Sequence, residues 1–476
     1  MLIVKKIFLV VTLIAIKTAL IANMSYRGTP FVKNYNRIDY QAGSQTWDIQ
    51  QGSNGIMYFA NNNGLLEFDG IEWNVYNLPN LSIVRSIEST DDGTIYAGGF
   101  NELGYFKIGD MGQAVYSSIM DLIPNEYCDF GDVWKIYQHP DGIIFQTYYQ
   151  LIFYKDDTVN IIEAPSIFHF SYIVNNEYYV NDMEKGLMRY AMGDLFPLNG
   201  MEKLIGKEIW GILPYENKLL ISTSSDGTYY YNGNTLDPIT NKSTAFLEKN
   251  QIYCSLLIND NIAFGTIQNG LLICDKYGNS IYQLNKSDGL QNNTILCMRL
   301  DFLGNLWLGT DHGIDYIEIN SPLSQITDNY GLSAGYAAYI LNDRLYLGTN
   351  QGLFTQETDE SNFIEVSPKK MTLIEETKGQ VWSLTEIDGQ IFCGHNNGTF
   401  IIDDTTAEKI SDIQGAWMFS QVPSNSDKII GGTYTGLSLF KKVDGKWQFI
   451  KQLSGFSESA RTIEFDYDGS LWMTHG

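Results

Sequence analysis

The residues of this 476-residue chain that could carry out chemistry are scattered. The histidines His139, His169, His312, His395 and His475 stand alone, none with a second ligand at metal spacing. Cys128, Cys254, Cys274, Cys297 and Cys393 form no CxxC pair and lie inside apolar runs. An odd, dispersed set suits buried thiols better than a zinc cage or a disulfide framework, with one pair, for instance Cys254 and a neighbour, left open. No nucleophile elbow, zincin helix, phosphate loop or calcium loop is present. Acidic loop residues such as Glu102, Asp132, Asp182, Glu184, Asp226 and Asp311 leave open a reaction run by paired carboxylates. The expectation for this region is nonetheless binding, with no catalytic residues, no metal and no cofactor.

Binding chemistry is better represented. Trp47, Trp134, Trp210, Trp382 and Trp417 recur near the same phase of the internal repeat described below, and Asn61, Glu102, His312, His395 and Asn396 stand in nearby loops. Aromatic faces beside amides and carboxylates suit sugar rings, whose C–H faces stack and whose hydroxyls need hydrogen-bond partners. These ten residues are the candidate ligand site. A recurring aromatic also serves simple inter-blade packing, so the non-recurrent Glu102, His312 and Asn396 are the more informative members.

Charge excludes one class of partner. Fifty-five Asp and Glu against 31 Lys and Arg give a net charge of -24. Such a surface repels phosphate backbones, so no nucleic acid is expected to bind this region.

The elements that must position these residues follow from internal repetition. The clearest unit is LQNNTILCMRLDFLGNLWLGTDHGIDYI, residues 290–317. Its frame returns from Asn54, Asp92, Asp260, Asp343, Asp388, Asp427 and Asp468, with weaker copies from Val133, Phe170 and Ile209. Loop glycines recur with a step of about 41 residues, the spacing of four-stranded propeller blades. Asp-Gly and Asn-Gly between alternating apolar runs supply the positive φ angles of tight hairpins. One blade cannot bury both faces of its sheet, so blades stack radially into a ring. The fold class expected is all-β: a β-propeller with one ring of about seven blades and an incomplete second ring. Residues 30–40 are placed to supply the outer strand of the seventh blade and cover its exposed edge.

The chain opens with MLIVKKIFLVVTLIAIKTALIANMS. A basic start, a short apolar run and small residues at Ala19 and Ala22 read as a secretory signal peptide. An uncleaved signal anchor is the alternative. The expected organisation is a signal peptide over 1–24, a first propeller over 25–325, and the start of a second propeller over 326–476, interrupted within a repeat.

The frame Asp301, Gly304, Leu306, Trp307, Gly309, Thr310, Gly313 and Ile314 resembles the two-component-regulator propeller repeat. Asp466, Gly469, Leu471 and Trp472 match it again, whereas the third, fourth and fifth units lack the Trp and the Gly-Thr pair. The opening GTPFVKNYNRIDYQAGSQTWDIQQ and the following units look like membrane-spanning sensors of Bacteroidetes. The resemblance implies a triple-tyrosine β-sandwich and a transmembrane helix downstream, then a histidine kinase or a LuxR-type helix-turn-helix. It also implies a periplasmic, ligand-sensing ectodomain, homodimeric in full-length form and held at the inner membrane only by that downstream helix. The ligand expected is a glycan or another nutrient-derived small molecule. Two other readings stay open: a secreted propeller lyase or glycosidase acting on polysaccharide, and a non-catalytic envelope scaffold. The Asp301 to Trp307 run also has the spacing of a sialidase Asp-box. Arg27, Arg37, Arg85, Arg189, Arg299, Arg344 and Arg461 fall in different repeat phases, however, so no arginine cluster forms and the turn is read as structural.

Overall fold

The computed structural model describes residues 28–109, 112–326, 330–357 and 371–474. The expected signal peptide lies outside them. The described residues form two compact units, one from Gly28 to Gln325 and one from Ile326 onward.

In the first unit, seven four-stranded antiparallel sheets succeed one another along the chain. Their innermost strands are Thr46–Gln51, Val84–Ser89, Lys135–His139, Phe168–Val174, Ile209–Tyr215, Ile252–Ile258 and Ile295–Leu300. Each lies beside the next, and the seventh lies beside the first. The sheets are thus blades of a closed β-propeller ring, numbered one to seven below. Apolar residues of facing sheets fill the space between blades, as where Leu271 and Ile273 of blade six meet Ile295, Leu306 and Leu308 of blade seven.

Blade seven takes its outermost strand from the other end of the unit. Val32–Tyr35 runs antiparallel to Gly313–Ile317, with Val32 opposite Ile317 and Tyr35 opposite Ile314. Thr29 and Gln325 then exchange two backbone hydrogen bonds of 2.9 and 2.8 Å. The edge that residues 30–40 were expected to cover is therefore paired. Beneath it, fully buried Asp315 accepts from Asn34 Nδ2 at 2.7 Å, Gln291 Nε2 at 2.9 Å and the Gln291 backbone at 3.0 Å. Burial pushes the Asp315 carboxyl up, and these donors oppose the shift.

Local chemistry explains the repeat. Asp301 Oδ1 accepts from the backbone of Leu303 and Asn305, each at 2.9 Å, while Trp307 Nε1 donates to Oδ2 at 3.3 Å. The Asp-to-Trp spacing therefore builds a turn and pins the indole over it. Gly309 permits blade contact, because a Cβ there would lie 2.8 Å from the Thr46 carbonyl of blade one. Thr310 Oγ1 donates to the Gly313 carbonyl at 2.9 Å and accepts from His312 N at 3.0 Å, closing the loop between second and third strands. In blade four, which lacks Gly-Thr, Asp182 accepts from the backbone of Glu184 and Lys185 instead.

The second unit holds three four-stranded sheets and one hairpin. Their innermost strands are Gly335–Leu341, Val381–Ile387 and Met418–Val422, and the hairpin joins Thr462–Phe465 to Leu471–Thr474. Among the described residues, no helix is long and apolar enough to cross a membrane.

Candidate ligand-binding site

The innermost strands of the first ring share one irregularity near their starts. In blade one, Thr46 pairs with Asn61 and Asp48 with Ala60, so Trp47 is an extra residue. The same β-bulge leaves Arg85 extra in blade two, Trp210 in blade five, Tyr253 in blade six and Leu296 in blade seven. In blade four it displaces His169 and Phe170. In blade three Trp134 directly precedes the strand, with its N–H bonded to the Gln146 carbonyl at 2.8 Å. A bulge re-aims the side chain it carries. In the bulged blades it turns one residue, or two in blade four, out of the sheet alternation and toward its neighbours around the ring.

The turned-out side chains meet in succession. The Arg85 guanidinium carbon lies 4.1 Å from the Trp47 ring centre and 5.0 Å from that of Trp134. Ring centroids are then 5.7 Å apart for Trp134 and Phe170, 5.0 Å for Phe170 and Trp210, and 4.2 Å for Trp210 and Tyr253. Tyr148, from the loop between the second and third strands of blade three, adds a 5.4 Å contact to Trp134. The result is an aromatic collar on the face that carries those loops. Trp47, Trp134, Trp210 and Tyr253 are half-buried, so part of each ring remains open to a ligand.

Polar groups border the collar. Trp47 Nε1 donates to Asn62 Oδ1 at 2.7 Å, Asn62 Nδ2 donates to Gln45 Oε1 at 2.9 Å, and Gln45 Nε2 donates to Asp311. Arg85 Nε donates to Asp132 Oδ1 at 3.3 Å, and Trp210 Nε1 to Glu208 Oε2 at 3.2 Å. His169 is buried, and its Nδ1 lies 3.1 Å from the Ile209 carbonyl. Desolvation holds its pKa below the usual imidazole value.

Further along the same strands, two carboxylates bond to neighbouring blades. Asp48 accepts from the backbone of Ile87 at 3.1 Å and Ile49 at 2.9 Å. Glu88 accepts from Gln50 Nε2 at 3.0 Å and Gln138 Nε2 at 3.3 Å. Burial raises both carboxyls, with Lys135 opposing at Asp48, and Glu88 is pushed up to about 7.

The ten candidate residues separate on this geometry. Trp47, Trp134 and Trp210 lie together in the collar. His312 is exposed in the loop between the second and third strands of blade seven, next to Asp311. Asn61 is fully buried, and its amide donates to the Gly43 and Gln45 carbonyls at 2.8 and 2.9 Å. It therefore holds the loop that presents Gln45 and offers nothing to a ligand. Glu102 is buried under Tyr116 and Ser118, whose hydroxyls donate to it at 2.9 and 2.7 Å.

In the second unit, His395 is fully buried, with Nε2 3.1 Å from the Thr377 carbonyl and Nδ1 accepting from Asn397 N at 2.9 Å. Asn396 Oδ1 accepts from Gln380 N at 3.1 Å, another loop staple. For Asn61 and His395 a structural role replaces the expected contact, because burial and internal bonding leave no free polar edge, whereas Glu102 receives both of its donors on Oε1 alone. Trp382 lies between Tyr336 and Trp417, at 5.1 and 4.7 Å, and Arg461 sits 5.1 Å from the Trp417 ring centre. Tyr336 and Trp382 are again bulge residues. Among the described residues no three His, Cys, Asp or Glu side chains group to hold a metal ion.

Arg85 and Phe170 are collar members that sequence reasoning passed over. Aligning the buried residue at the start of each innermost strand finds Arg85: Thr46-Trp47, Val84-Arg85, Val133-Trp134, Ile209-Trp210 and Ile252-Tyr253 share one frame, which Phe170 leaves because blade four displaces two residues.

Residues 289–312, in blade seven, match the two component regulator propeller family. No curated protein matches the sequence. Among solved structures the chain is similar to the extracellular domain of BT3049 from B. thetaiotaomicron, classed there as a hybrid two component system. Identity is 18%, 94% of this chain and 64% of that one are covered, and the TM-score is 0.66. The extracellular domain of BT4673 from the same organism, described as a one component system, gives 16% identity, 94% and 64% coverage, and a TM-score of 0.50. Virginiamycin B lyase from Staphylococcus aureus gives 13% identity, 60% and 98% coverage, and a TM-score of 0.48. The chain is thus a β-propeller protein with a two component regulator repeat in its seventh blade. It spans 64% of the length of the two extracellular domains.

Proposed function

We propose that this chain is the extracytoplasmic, ligand-sensing region of a membrane-spanning signal-transduction regulator. The ligand, a glycan or another nutrient-derived molecule, docks on the collar of the first ring. One observation carries this reading: bulges in blades one, five and six deliver Trp47, Trp210 and Tyr253, and the residue just before the innermost strand of blade three delivers Trp134, to one partly open face. Buried packing would have been served equally well by unbulged strands. A half-open row of rings bordered by amides and carboxylates matches what a sugar needs. Similarity to extracellular domains of B. thetaiotaomicron sensors supports the same reading.

The signal peptide expected over 1–24 would deliver the chain across a membrane, and a homodimeric regulator would carry the output, as a kinase or a DNA-binding module, in other segments. The region itself is proposed to bind and not to catalyse, its acids at the collar serving as hydrogen-bond acceptors for Arg85 and Trp210. The test is a thermal-shift screen of the purified chain against neutral and acidic oligosaccharides, with Trp134→Ala as control. A Tm rise with a subset of sugars, lost in Trp134→Ala, is expected. The same rise in the variant, or none with any sugar, would overturn the reading.

A further inference from the structure

The donors of Arg85 are almost unspent. Its guanidinium lies between two indole faces, which attract a cation but accept no conventional hydrogen bond. Its one ion pair is the single Nε contact to Asp132 Oδ1 at 3.3 Å, where a carboxylate could have met the fork with two. Nη1 is buried with no partner, as is the neighbouring Trp134 Nε1. The side chain is 15% exposed. Two buried donors without acceptors, side by side at the collar, describe a position from which an acceptor is missing.

The surrounding charges favour an acid there. Lys135 Nζ lies 5.2 Å from the Phe170 ring centre, on the same arc, and makes no ion pair among the described residues. Of the acids nearby, Asp132 is engaged by Arg85 and Glu208 by Trp210 Nε1, while the buried Asp48 lies in the field of Lys135. A planar guanidinium is matched in shape by a carboxylate, and a half-compensated charge between apolar faces gains most from an anion.

We propose that the collar recognises a sugar bearing a carboxylate, with Arg85 as the anion anchor and the flanking tryptophans as the stacking faces. The inference rests on the ligand-binding reading above. The experiment is calorimetric titration of the chain with a uronic-acid oligosaccharide and with the same oligosaccharide after reduction of its carboxyls to alcohols. Wild type and Arg85→Gln are compared, and Arg85→Lys tests the fork.

The acidic sugar is expected to bind at least tenfold more tightly than the reduced one. Arg85→Gln should erase that difference while weak binding of both persists, and Arg85→Lys should restore only part of it. Equal affinity for the two sugars in wild type would overturn the anion anchor and leave the collar reading standing. An undiminished preference in Arg85→Gln would do the same. Binding of neither sugar would overturn both. Should Arg85→Gln fail to fold, the comparison of the two sugars on wild type still decides.

Discussion

Trp210 and Tyr253, each the extra residue of a β-bulge in neighbouring blades, meet with ring centroids 4.2 Å apart and planes tilted by 32°. Aromatic pairs of this kind contribute about 0.5–1.5 kcal/mol beyond area burial. Both rings are partly exposed, so replacing one removes less core than at a fully buried site. Tyr253→Ala is expected to lower Tm by only a few degrees and to weaken ligand binding about tenfold or more. Thermal unfolding and calorimetry on one preparation check both halves.

The Asp301 carboxylate tests whether the Asp-to-Trp spacing is structural. It accepts two backbone N–H groups and faces the Trp307 indole N–H. Asp301→Ala leaves those donors short of acceptors and is expected to cost about 1–3 kcal/mol of stability. Ligand affinity should not change, since the turn lies at the far end of blade seven's second strand from the loop carrying Asp311. Denaturant titration and calorimetry report the two quantities.

Ring closure gives a third expectation. Gln291 donates to Asp315 and also to the carbonyls of Tyr35 and Ile314, both at 3.0 Å. Gln291→Ala removes one side-chain donor from a buried carboxylate and two bonds to the carbonyls of the closing strand and its partner. Hydrogen bonds to charged groups are worth about 1.5–3 kcal/mol each, so a loss of several kcal/mol is expected. Hydrogen exchange should show residues 32–35 losing protection first.

Much of this was legible in the sequence. The hairpin glycines, the Asp301 to Trp307 frame and the orphan strand near residue 32 follow from local turn chemistry and edge avoidance, which act over a few residues. The collar was only half legible. A β-bulge is a register effect between two strands, so Trp47 and Trp134 were visible as recurring aromatics, but their escape from the sheet alternation was not. Arg85 was missed because its side chain is chemically unlike the others at that position. Asn61, Glu102 and His395 looked like free polar loop residues. Their spending on buried hydrogen bonds depends on carbonyls and hydroxyls that only the folded loops bring near.

Glu88 sets a pH signature. Its carboxyl is raised from 4.5 to about 7, chiefly by burial, with Gln138 opposing, the Asp48 charge adding and Arg299 opposing. The folded state therefore holds this proton more tightly than the unfolded chain. Its stabilising contribution is full below about 4.5 and is lost as pH rises through about 7. Glu88→Gln keeps the amide partners within reach and removes the titration. The variant should match wild type near pH 4.5 and exceed it by about 3 kcal/mol at pH 8, several degrees in Tm. Paired melting curves across that window measure the difference directly.

Ligand sensing by this chain depends on the collar as the docking face. The most direct measurement is binding of the purified chain to a broad glycan array, wild type beside a Trp134→Ala/Trp210→Ala variant of matched thermal stability. The account predicts that wild type selects a small set of glycans, acidic ones foremost, and that the double variant loses them. A variant that binds the same glycans with the same strength, or a wild type that binds none, would contradict it.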